Sequence, residues 1–352
     1  AIADKEDGRG RAEADQERYD EVFRADLREA LLTYQKTHQL WDHGSLTAQT
    51  LRSLNVTARQ RWNQLRASLQ RWRESNIAAD THYVYVNIPD FHAEVWKEGS
   101  REMRFRVVTG QSTRREIKDE ESGEPTGEVE YPHATPTFSD TIEYLVLNPY
   151  WNVPHGIRKK ELEPKLKENP DYYEEEGFEV VTDKNGYNFV RQKPGPDNAL
   201  GKVKFLFPNE HSVYLHDTPH KGLFGQPTRA YSHGCVRIEK PMAFAHYLLD
   251  LDGRYTGERR KELLEKWFAK ESETWLSLRQ TLPIHIDYIV ARIDDAGYAN
   301  FLADPYDRDK PRLAAIEERL STFPNNYDMH EPSPDELLGS ALAGELSEED
   351  LY

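Results

Sequence analysis

Cysteine is almost absent from this 352-residue sequence, which contains only Cys235. A disulfide within the chain is therefore excluded, and the folded state has to be stabilised by packing. Long apolar runs are absent as well, because no stretch reaches the roughly 18 to 20 consecutive apolar residues of a membrane-spanning helix. The charged first twenty residues contain no signal-peptide core, so we expect a soluble chain from which any export signal or anchor has been removed.

An excess of positive charge is also absent, since 62 acidic residues outnumber 46 lysines and arginines. The formal net charge is −16, which argues against the extended basic stripe that nucleic-acid binding needs. The sequence contains no HExxH or CxxC spacing, no phosphate-binding loop and no nucleotide fingerprint. We therefore expect no metal, no cofactor and no nucleic-acid partner.

The first part of the chain has a helical pattern. Apolar residues recur at helical spacing, and a glycine turn then precedes a short second helix. A third helix starts at Thr57, which forms a capping-box pattern with Gln60. One apolar stripe follows on that helix: Trp62, Leu65, Leu69 and Trp72. We predict a flexible segment over 1–18, a helical module over 19–56 and a linker helix over 57–80.

From Thr81 the pattern changes to twofold alternation with hairpin turns, as in "THYVYVNIPD" and "REMRFRVVTGQ". A β-rich domain over 81–315 is therefore predicted to follow the helices. Its closing hairpin is expected to turn at 295–297. Helices are predicted at 158–168, 239–251, 257–280 and 310–320.

Three segments depart from this alternation. Residues 113–134 are acidic and contain glycine, so they are interpreted as a mobile surface insertion. Residues 169–200 form a long connection ahead of the cysteine and are either a lid-like loop or solvated filler. The tail over 316–352 is acidic. A short capped helix is suggested there by Ser333, Pro334 and Glu336.

Cys235 lies in "YSHGCVRIEK". A nucleophilic cysteine needs a base or a positive neighbour, and nearby amide donors for an oxyanion. His216 lies 19 residues upstream at the end of the apparent strand "VYLH", and His233 and Arg237 flank the cysteine. Gly234 lets a substrate carbonyl approach the backbone. This pattern indicates a cysteine–histidine acyl-transfer site, with an inert core cysteine as the alternative; a zinc site lacks the required ligand spacing.

The motifs "HDTP" at 216–219 and "SHGCVRI" at 232–238 resemble the signature of the YkuD-type L,D-transpeptidases. The resemblance extends over about 82–310 and includes "IEYLVLNPYWNVP", "RQKPGPDNALGKVKFLFPN" and "YIVARIDDAGYANFLADPYDRD". These segments are similar to the catalytic domain of the large Gram-negative murein L,D-transpeptidases, which also carry a helical scaffold and a wall-binding module. Residues 113–134 are longer than the connection expected there in that family.

This resemblance implies an α+β fold, in which a mixed β-sheet sandwich with flanking helices follows a small helical module. Residues 20–56 are similar to the back half of a peptidoglycan-binding type 1 module, which implies wall binding, with a purely structural role as the alternative. The segment "TARQRWNQLRASLQRWR" resembles the scaffold helix that leads into the enzyme.

The resemblance also implies roles for individual residues. Cys235 attacks the carbonyl of the L-centre that precedes the terminal D-alanine of a peptidoglycan stem, and His216 is the base. The backbone carbonyl of Asp217 orients the histidine ring, and the amides of Gly234 and Cys235 form the oxyanion hole. Candidate substrate contacts are Tyr214, Ser232, His233, Arg237, Trp151 and Asn198. The alternatives are packing for Trp151, turn formation for Asn198 and a structural salt bridge for Arg237.

The implied product is a 3→3 cross-link to the side-chain amine of a second stem. With water as the acceptor, the same site makes an L,D-carboxypeptidase or an endopeptidase. A catalytically idle wall-binding scaffold protein is the third interpretation. Peptidoglycan stem peptides are the implied partners, the periplasm is the implied location, and carbapenems are the implied inhibitors.

Overall fold

The computed structural model describes residues 25–270 and 272–322. The predicted flexible segment 1–18 lies outside the described residues, as does the part of the predicted tail 316–352 that follows residue 322. The capped helix suggested near residue 334 falls in that part. No helix among the described residues is long and apolar enough to cross a membrane.

Helices and strands alternate in blocks along the described chain. The helices are α1 (25–37), α2 (Ala48–Leu54), α3 (Ala58–Glu74), α4 (His155–Ile157), α5 (Glu163–Glu168), α6 (Tyr172–Glu175), α7 (Pro241–Asp252), α8 (Gly257–Phe268) and α9 (Asp309–Thr322). A π-helical turn, Arg158–Leu162, joins α4 to α5. The strands are β1 (His82–Asn87), β2 (His92–Lys97), β3 (Ser100–Gly110), β4 (Arg115–Lys118), β5 (Pro125–Glu130), β6 (Phe138–Leu147), β7 (Trp151–Asn152), β8 (Phe178–Thr182), β9 (Asn188–Gln192), β10 (Val203–Leu206), β11 (Leu215–His216), β12 (Ala230–Ser232), β13 (Val236–Ile238), β14 (Thr274–Asp287), β15 (Ala291–Ile293) and β16 (Ala299–Phe301).

The chain divides into two compact units, Arg71–Ile289 and the combination of Ala1–Gln70 with Val290–Tyr352. The larger unit is built on a nine-stranded mixed sheet in the order β12-β3-β13-β11-β10-β6-β14-β1-β2. Because β2 also pairs with β3, the sheet closes on itself into a barrel-like core. The pairs β1–β14, β11–β13 and β12–β3 are parallel, and the remaining pairs of this sheet are antiparallel.

Helix α7 packs on β14 and β10 of this sheet. Its Phe244 is fully buried and lies with its ring centroid 4.8 Å from that of Phe205 and 5.6 Å from that of Phe105. Proline at the first position of α7 and Gly253 in the left-handed region at its end fit the usual start and stop of a helix. This packing buries the aromatic core beneath the strands that carry the site.

The predicted helix 257–280 is wrong in its second half. The helix ends at Phe268, and residues from Thr274 form β14, which pairs with β6 over most of its length. Leu276 and Leu278 are buried on alternate positions of that strand, which is the twofold pattern of a sheet rather than a helical stripe. The helices predicted at 158–168, 239–251 and 310–320 are confirmed within a few residues.

The two predicted loops contain regular structure. Within the exposed acidic segment 113–134, which was interpreted as a mobile surface insertion, β4 and β5 form an antiparallel hairpin. Within 169–200, β8 and β9 pair, and β9 also pairs with β7 to complete a three-stranded sheet. The segment interpreted as a lid-like loop or solvated filler therefore contains two strands of a small sheet, and Phe178 and Val190 belong to a buried cluster.

The smaller unit contains α1, α2, most of α3, the β15–β16 hairpin and α9. The predicted capping box is confirmed, because Gln60 N–H donates to Thr57 Oγ1 at 3.3 Å and Thr57 N–H donates to Gln60 Oε1 at 2.8 Å. The predicted hairpin turn at 295–297 is also confirmed, since β15 and β16 pair on either side of it. The predicted domain boundaries stay predictions.

Candidate active site

Cys235 lies at the end of a short loop between β12 and β13. The loop turns at Gly234, whose φ of +114° lies in a region that L side chains rarely adopt. The Ser232 hydroxyl accepts a hydrogen bond from Gly234 N–H at 3.2 Å and donates to the carbonyl of Cys235. Thr135 donates to the Gly234 carbonyl at 2.8 Å. The cysteine is thus placed by a hydrogen-bonded turn at the start of a strand.

Strand pairing determines which side chains surround the cysteine. His216 on β11 lies opposite Arg237 on β13 in one direction and opposite Lys204 on β10 in the other. Because side chains alternate along an extended chain, Tyr214 shares the face of His216, and Cys235 shares the face of Arg237. The sheet therefore brings all five side chains to one face.

The thiol of Cys235 is in direct contact with Tyr214. Burial raises the pKa of Cys235, and this effect outweighs the lowering by hydrogen bonds from the backbone N–H and the phenol of Tyr214 and by the charges of Lys204 and Arg237. Burial, with the neighbouring Cys235 as the next cause, raises the pKa of Tyr214 well above its usual value, so the phenol is a neutral donor. The cysteine is therefore a thiol at neutral pH with donors already in place for its thiolate.

His216 is 4% exposed, and its Nδ1 lies 2.5 Å from the carbonyl oxygen of Asp217. A carbonyl oxygen can only accept, so Nδ1 carries the proton of the neutral ring and Nε2 is left as the acceptor. Burial lowers the pKa of His216 to about 3, with the charge of Arg237 as the next cause and smaller contributions from Lys204 and Lys221. The ring is therefore neutral at physiological pH.

No hydrogen bond joins His216 to Cys235 among the residues that the structure describes. The His216 ring instead packs edge-on against Tyr214, with a centroid distance of 5.6 Å. In the absence of substrate, catalytic hydrogen bonds are often long and tighten only when substrate binds. The pair therefore shares a face and a common neighbour, Tyr214, without a hydrogen bond between the two side chains.

The Asp217 side chain holds the turn after β11. Its carboxylate accepts hydrogen bonds from the backbone N–H of Thr218 at 2.6 Å and of Lys202 at 2.9 Å, and it pairs with Lys221. A Cβ at Gly201 would lie 2.4 Å from Asp217 Cγ, so only glycine leaves room for this carboxylate. The side chain thus fixes the loop while the backbone carbonyl of the same residue faces the histidine.

Two predicted substrate contacts are engaged elsewhere. His233 places its Nε2 2.7 Å from Glu161 Oε1, and its ring meets that of His133 edge-on at 4.8 Å. Ser232 is 2% exposed and is used within the turn before Cys235. Over residues 25–270 and 272–322 no group of three or more histidine, cysteine or acidic side chains is arranged to hold a metal ion. The pair His133 and His233 is therefore not part of such a group.

Trp151 and Asn198 have the packing and turn contacts that the sequence left as alternatives. Trp151 packs against the small cluster of the three-stranded sheet, with its ring centroid 6.2 Å from that of Phe178. Asn198 is 1% exposed, and its amide donates to the carbonyls of Pro149 at 3.1 Å and of Lys193 at 2.9 Å. The roles of both side chains as substrate contacts stay predictions.

Lys204 belongs to no motif in the sequence and lies in the alternating stretch "GKVKFLF". Its Nζ lies 3.9 Å from the centroid of the Tyr214 ring, and it is half-buried. Only the register between β10 and β11 places it opposite His216. The alternation alone gives the face of the strand and leaves that register open.

The chain is similar to a curated relative and to solved structures. The chain is 30% identical over 278 residues to a Haemophilus influenzae protein named "Putative L,D-transpeptidase"; the match covers 74% of this chain and 50% of that protein, so the chain spans about half the length of this relative. A solved L,D-transpeptidase from Xylanimonas cellulosilytica is 12% identical with a TM-score of 0.26, covering 73% of this chain and 78% of that one. The catalytic domain of the E. faecium L,D-transpeptidase acylated by ertapenem is 14% identical with a TM-score of 0.21, covering 47% of this chain and 86% of that one.

The family model of the YkuD L,D-transpeptidase catalytic domain matches residues 81–257, about half of the chain. This range contains eight of the nine strands of the large sheet, all but β14, and the loop that carries Cys235. The chain therefore belongs to the YkuD family of L,D-transpeptidases.

Proposed function

We propose that this protein is a peptidoglycan L,D-transpeptidase that forms 3→3 cross-links through a thioester on Cys235. The observation that carries the proposal is the shared face of Cys235 and His216 on adjacent strands, with the Asp217 carbonyl 2.5 Å from His216 Nδ1. A nucleophile, a base with a free acceptor nitrogen and a group that orients the base are the parts of an acyl-transfer site. Membership of the family supports the same chemistry.

In acylation, Sγ of Cys235 attacks the carbonyl carbon of the third stem residue while Nε2 of His216 takes the thiol proton. The low pKa of His216 and the raised pKa of Cys235 disfavour a resting ion pair, so proton transfer accompanies the attack. The oxyanion accepts a hydrogen bond from Cys235 N–H, which has no other hydrogen bond in the described part of the chain. Gly234 N–H is already bonded to Ser232.

Collapse of this intermediate breaks the bond to D-alanine, and the imidazolium of His216 gives its proton to the leaving nitrogen. An imidazolium with a low pKa is a strong proton donor, which suits this step. The side-chain amine of a second stem then attacks the thioester carbon and loses a proton to His216. The proton returns to the Cys235 sulfur as it leaves, which restores the resting site.

The proposed substrate also indicates where the protein acts and which compounds inhibit it. The cell wall lies outside the cytoplasmic membrane, so we place the protein in the periplasm with stem peptides as its partners. A carbapenem offers a reactive carbonyl to the same thiol, and we propose that it acylates Cys235. Wall binding by residues 20–56 stays a prediction.

The test is incubation of the chain with disaccharide tetrapeptide, followed by mass spectrometry of the products and of the intact protein. We expect a cross-linked dimer, released D-alanine and an acyl-enzyme that is absent from Cys235→Ala. His216→Gln should lower the rate by at least about 100-fold, the lower end of what a general base contributes. His220→Gln is the matched control, because His220 is an exposed histidine in the same loop.

Each other outcome has a definite meaning. Tripeptide without dimer would replace the transpeptidase with an L,D-carboxypeptidase. Cleavage of an existing cross-link would indicate an endopeptidase. No product and no carbapenem adduct would leave Cys235 without a catalytic role.

A further inference from the structure

Two half-buried cations flank the proposed base. Lys204 on β10 and Arg237 on β13 lie opposite His216 on either side, in one row across three strands. Residues that are opposite one another in neighbouring strands present their side chains on the same face of the sheet. The row therefore places two positive charges beside the nucleophile and the base.

Neither cation has an anionic partner within residues 25–270 and 272–322. Arg237 makes no side-chain hydrogen bond there, and its Nε is buried without a partner. Lys204 contacts the ring of Tyr214 at 3.9 Å. The carboxylate of Glu273 acts on Lys204 only at longer range. Its oxygens instead accept hydrogen bonds from the backbone N–H of Tyr150 at 3.1 Å and from the indole N–H of Trp275 at 2.6 Å.

A buried charge without a partner is costly, and buried cations are normally paired. Lys221, a few residues away, shows the ordinary solution, because it pairs with Asp217. Burial is the leading cause that lowers the pKa of both Lys204 and Arg237, as expected for cations that lack a full counter-charge. The group whose negative charge would act on both cations is Cys235, which is an uncharged thiol at rest. While Cys235 is a thiol, the site has positive charge in place for an anion of the substrate.

We propose that Lys204 and Arg237 together receive the terminal carboxylate of the donor stem, that of the D-amino acid which leaves. This inference rests on the proposed function and names the donor class: peptides in which the residue after the scissile bond ends in a free carboxylate. The carboxyl carbon of that residue is three bonds from the scissile carbonyl carbon, so the two lie within about 4 Å. An anion held by the two cations therefore keeps the scissile carbonyl close to Cys235.

The same contact acts on His216. Arg237 is the leading charge, after burial, that lowers the pKa of His216, and Lys204 adds to it. A bound carboxylate offsets both charges, so the imidazolium forms more easily when the thiol proton is transferred. A donor with a free terminal carboxylate thereby makes His216 a stronger base for the attack by Cys235, whereas a donor with an internal peptide bond at that position does not.

The test compares two donors that differ only at the leaving residue, a tetrapeptide ending in D-alanine and one ending in D-alaninamide. Release of D-alanine or D-alaninamide is measured for the wild type, Lys204→Met, Lys204→Arg and Arg237→Met. Lys97→Met is the control, since Lys97 is an exposed lysine on β2 of the same sheet.

We expect the wild type to prefer the carboxylate donor by at least about tenfold in kcat/KM, in line with a charge-assisted hydrogen bond. In Lys204→Met and Arg237→Met this ratio should fall toward one because the carboxylate donor loses more than the amide. Lys204→Arg and Lys97→Met should keep the preference. A purely structural role would lower the rates of both donors together and leave their ratio unchanged.

Equal use of the two donors by the wild type would overturn the inference, whatever the variants do. A ratio unchanged in both Met variants would also overturn it. If the wild type released nothing from either donor while iodoacetamide still alkylated Cys235, the proposed function itself would have failed.

Discussion

The barrel-like sheet and helix α3 differ in the burial of their apolar residues. In the sheet, Val84, Leu145 and Phe205 are fully buried, as the alternating pattern requires. On α3 the predicted apolar stripe is exposed, with Trp62 at 38% and Leu69 at 52%. The same apolar periodicity thus gives a core in one region and a solvent-facing surface in the other.

The difference depends on the packing partner that each element has within the described chain. The sheet closes through β2 and β3 and supplies its own inner face. The inner side of α3 instead carries small side chains, because Ala67 and Ser68 are buried. Ser68 Oγ accepts a hydrogen bond from Ala291 N–H at 2.9 Å. Gln64 donates to the carbonyl of Leu302 at 3.1 Å. Periodicity identifies an apolar face, but a partner decides whether that face is buried.

The largest effect that would test this comparison is loss of a core ring. Phe205→Ala should lower the free energy of unfolding by about 3 to 5 kcal/mol, because the cavity beside Phe244 cannot be refilled cheaply. Urea denaturation followed by circular dichroism measures it. Val180→Ala, at a strand position that is 58% exposed, is the control and should change little. Equal losses at the two positions would contradict the assignment of the core.

Acid should destabilise the larger unit through His216. Its pKa is about 3 in the folded chain and about 6.5 when unfolded, so between these values only the unfolded state binds the proton. Stability is therefore fully present above about pH 6.5 and is lost as the pH falls. From about pH 6.5 to about pH 4 the loss is about 3 kcal/mol, at 1.36 kcal/mol per pH unit.

Urea denaturation across this pH range measures the effect. His216→Gln should reduce the pH dependence, whereas His220→Gln, which replaces an exposed histidine, should leave it unchanged. A smaller dependence remains because the pKa of His38 is also lowered by burial, to about 4. A wild-type curve that is as flat as that of His216→Gln would show that His216 is not held neutral by burial.

The sequence predicted well whatever depends on local pattern. The strands after Thr81, the capping box at Thr57 and the pairing of β15 with β16 follow from periodicity and turn chemistry, and the structure has them. Cys235 and His216 were predicted as partners from motif and spacing, and the structure places them on one face of adjacent strands.

What the sequence did not predict depends on contacts between distant residues. The end of α8 was missed because its helical stripe runs almost directly into the alternation of β14. Lys204 was missed because its neighbourhood follows from strand register, which twofold alternation leaves open. The contact of His233 with Glu161 was also not predicted, and the role of His233 as a substrate contact stays a prediction. Adjacency along the chain does not fix side-chain direction.

A smaller effect is expected at the start of α3. Thr57→Ala removes the acceptor for Gln60 N–H and should lower the free energy of unfolding of the helix by about 1 kcal/mol. Amide hydrogen exchange in the first turn measures it. Arg59→Ala, an exposed position in the same turn, should leave exchange unchanged. Equal exchange in wild type and Thr57→Ala would show that the cap contributes nothing measurable.

The smallest effect is expected on the exposed stripe itself. Leu69→Gln should change the free energy of unfolding by no more than about 0.5 kcal/mol, since a side chain that is 52% exposed has little contact to lose. Ala67→Gln on the same helix replaces a fully buried residue with a larger polar one and should cost about 2 kcal/mol. If Leu69→Gln cost as much as Ala67→Gln, the stripe would be covered in solution, and the contrast between the sheet and α3 would disappear.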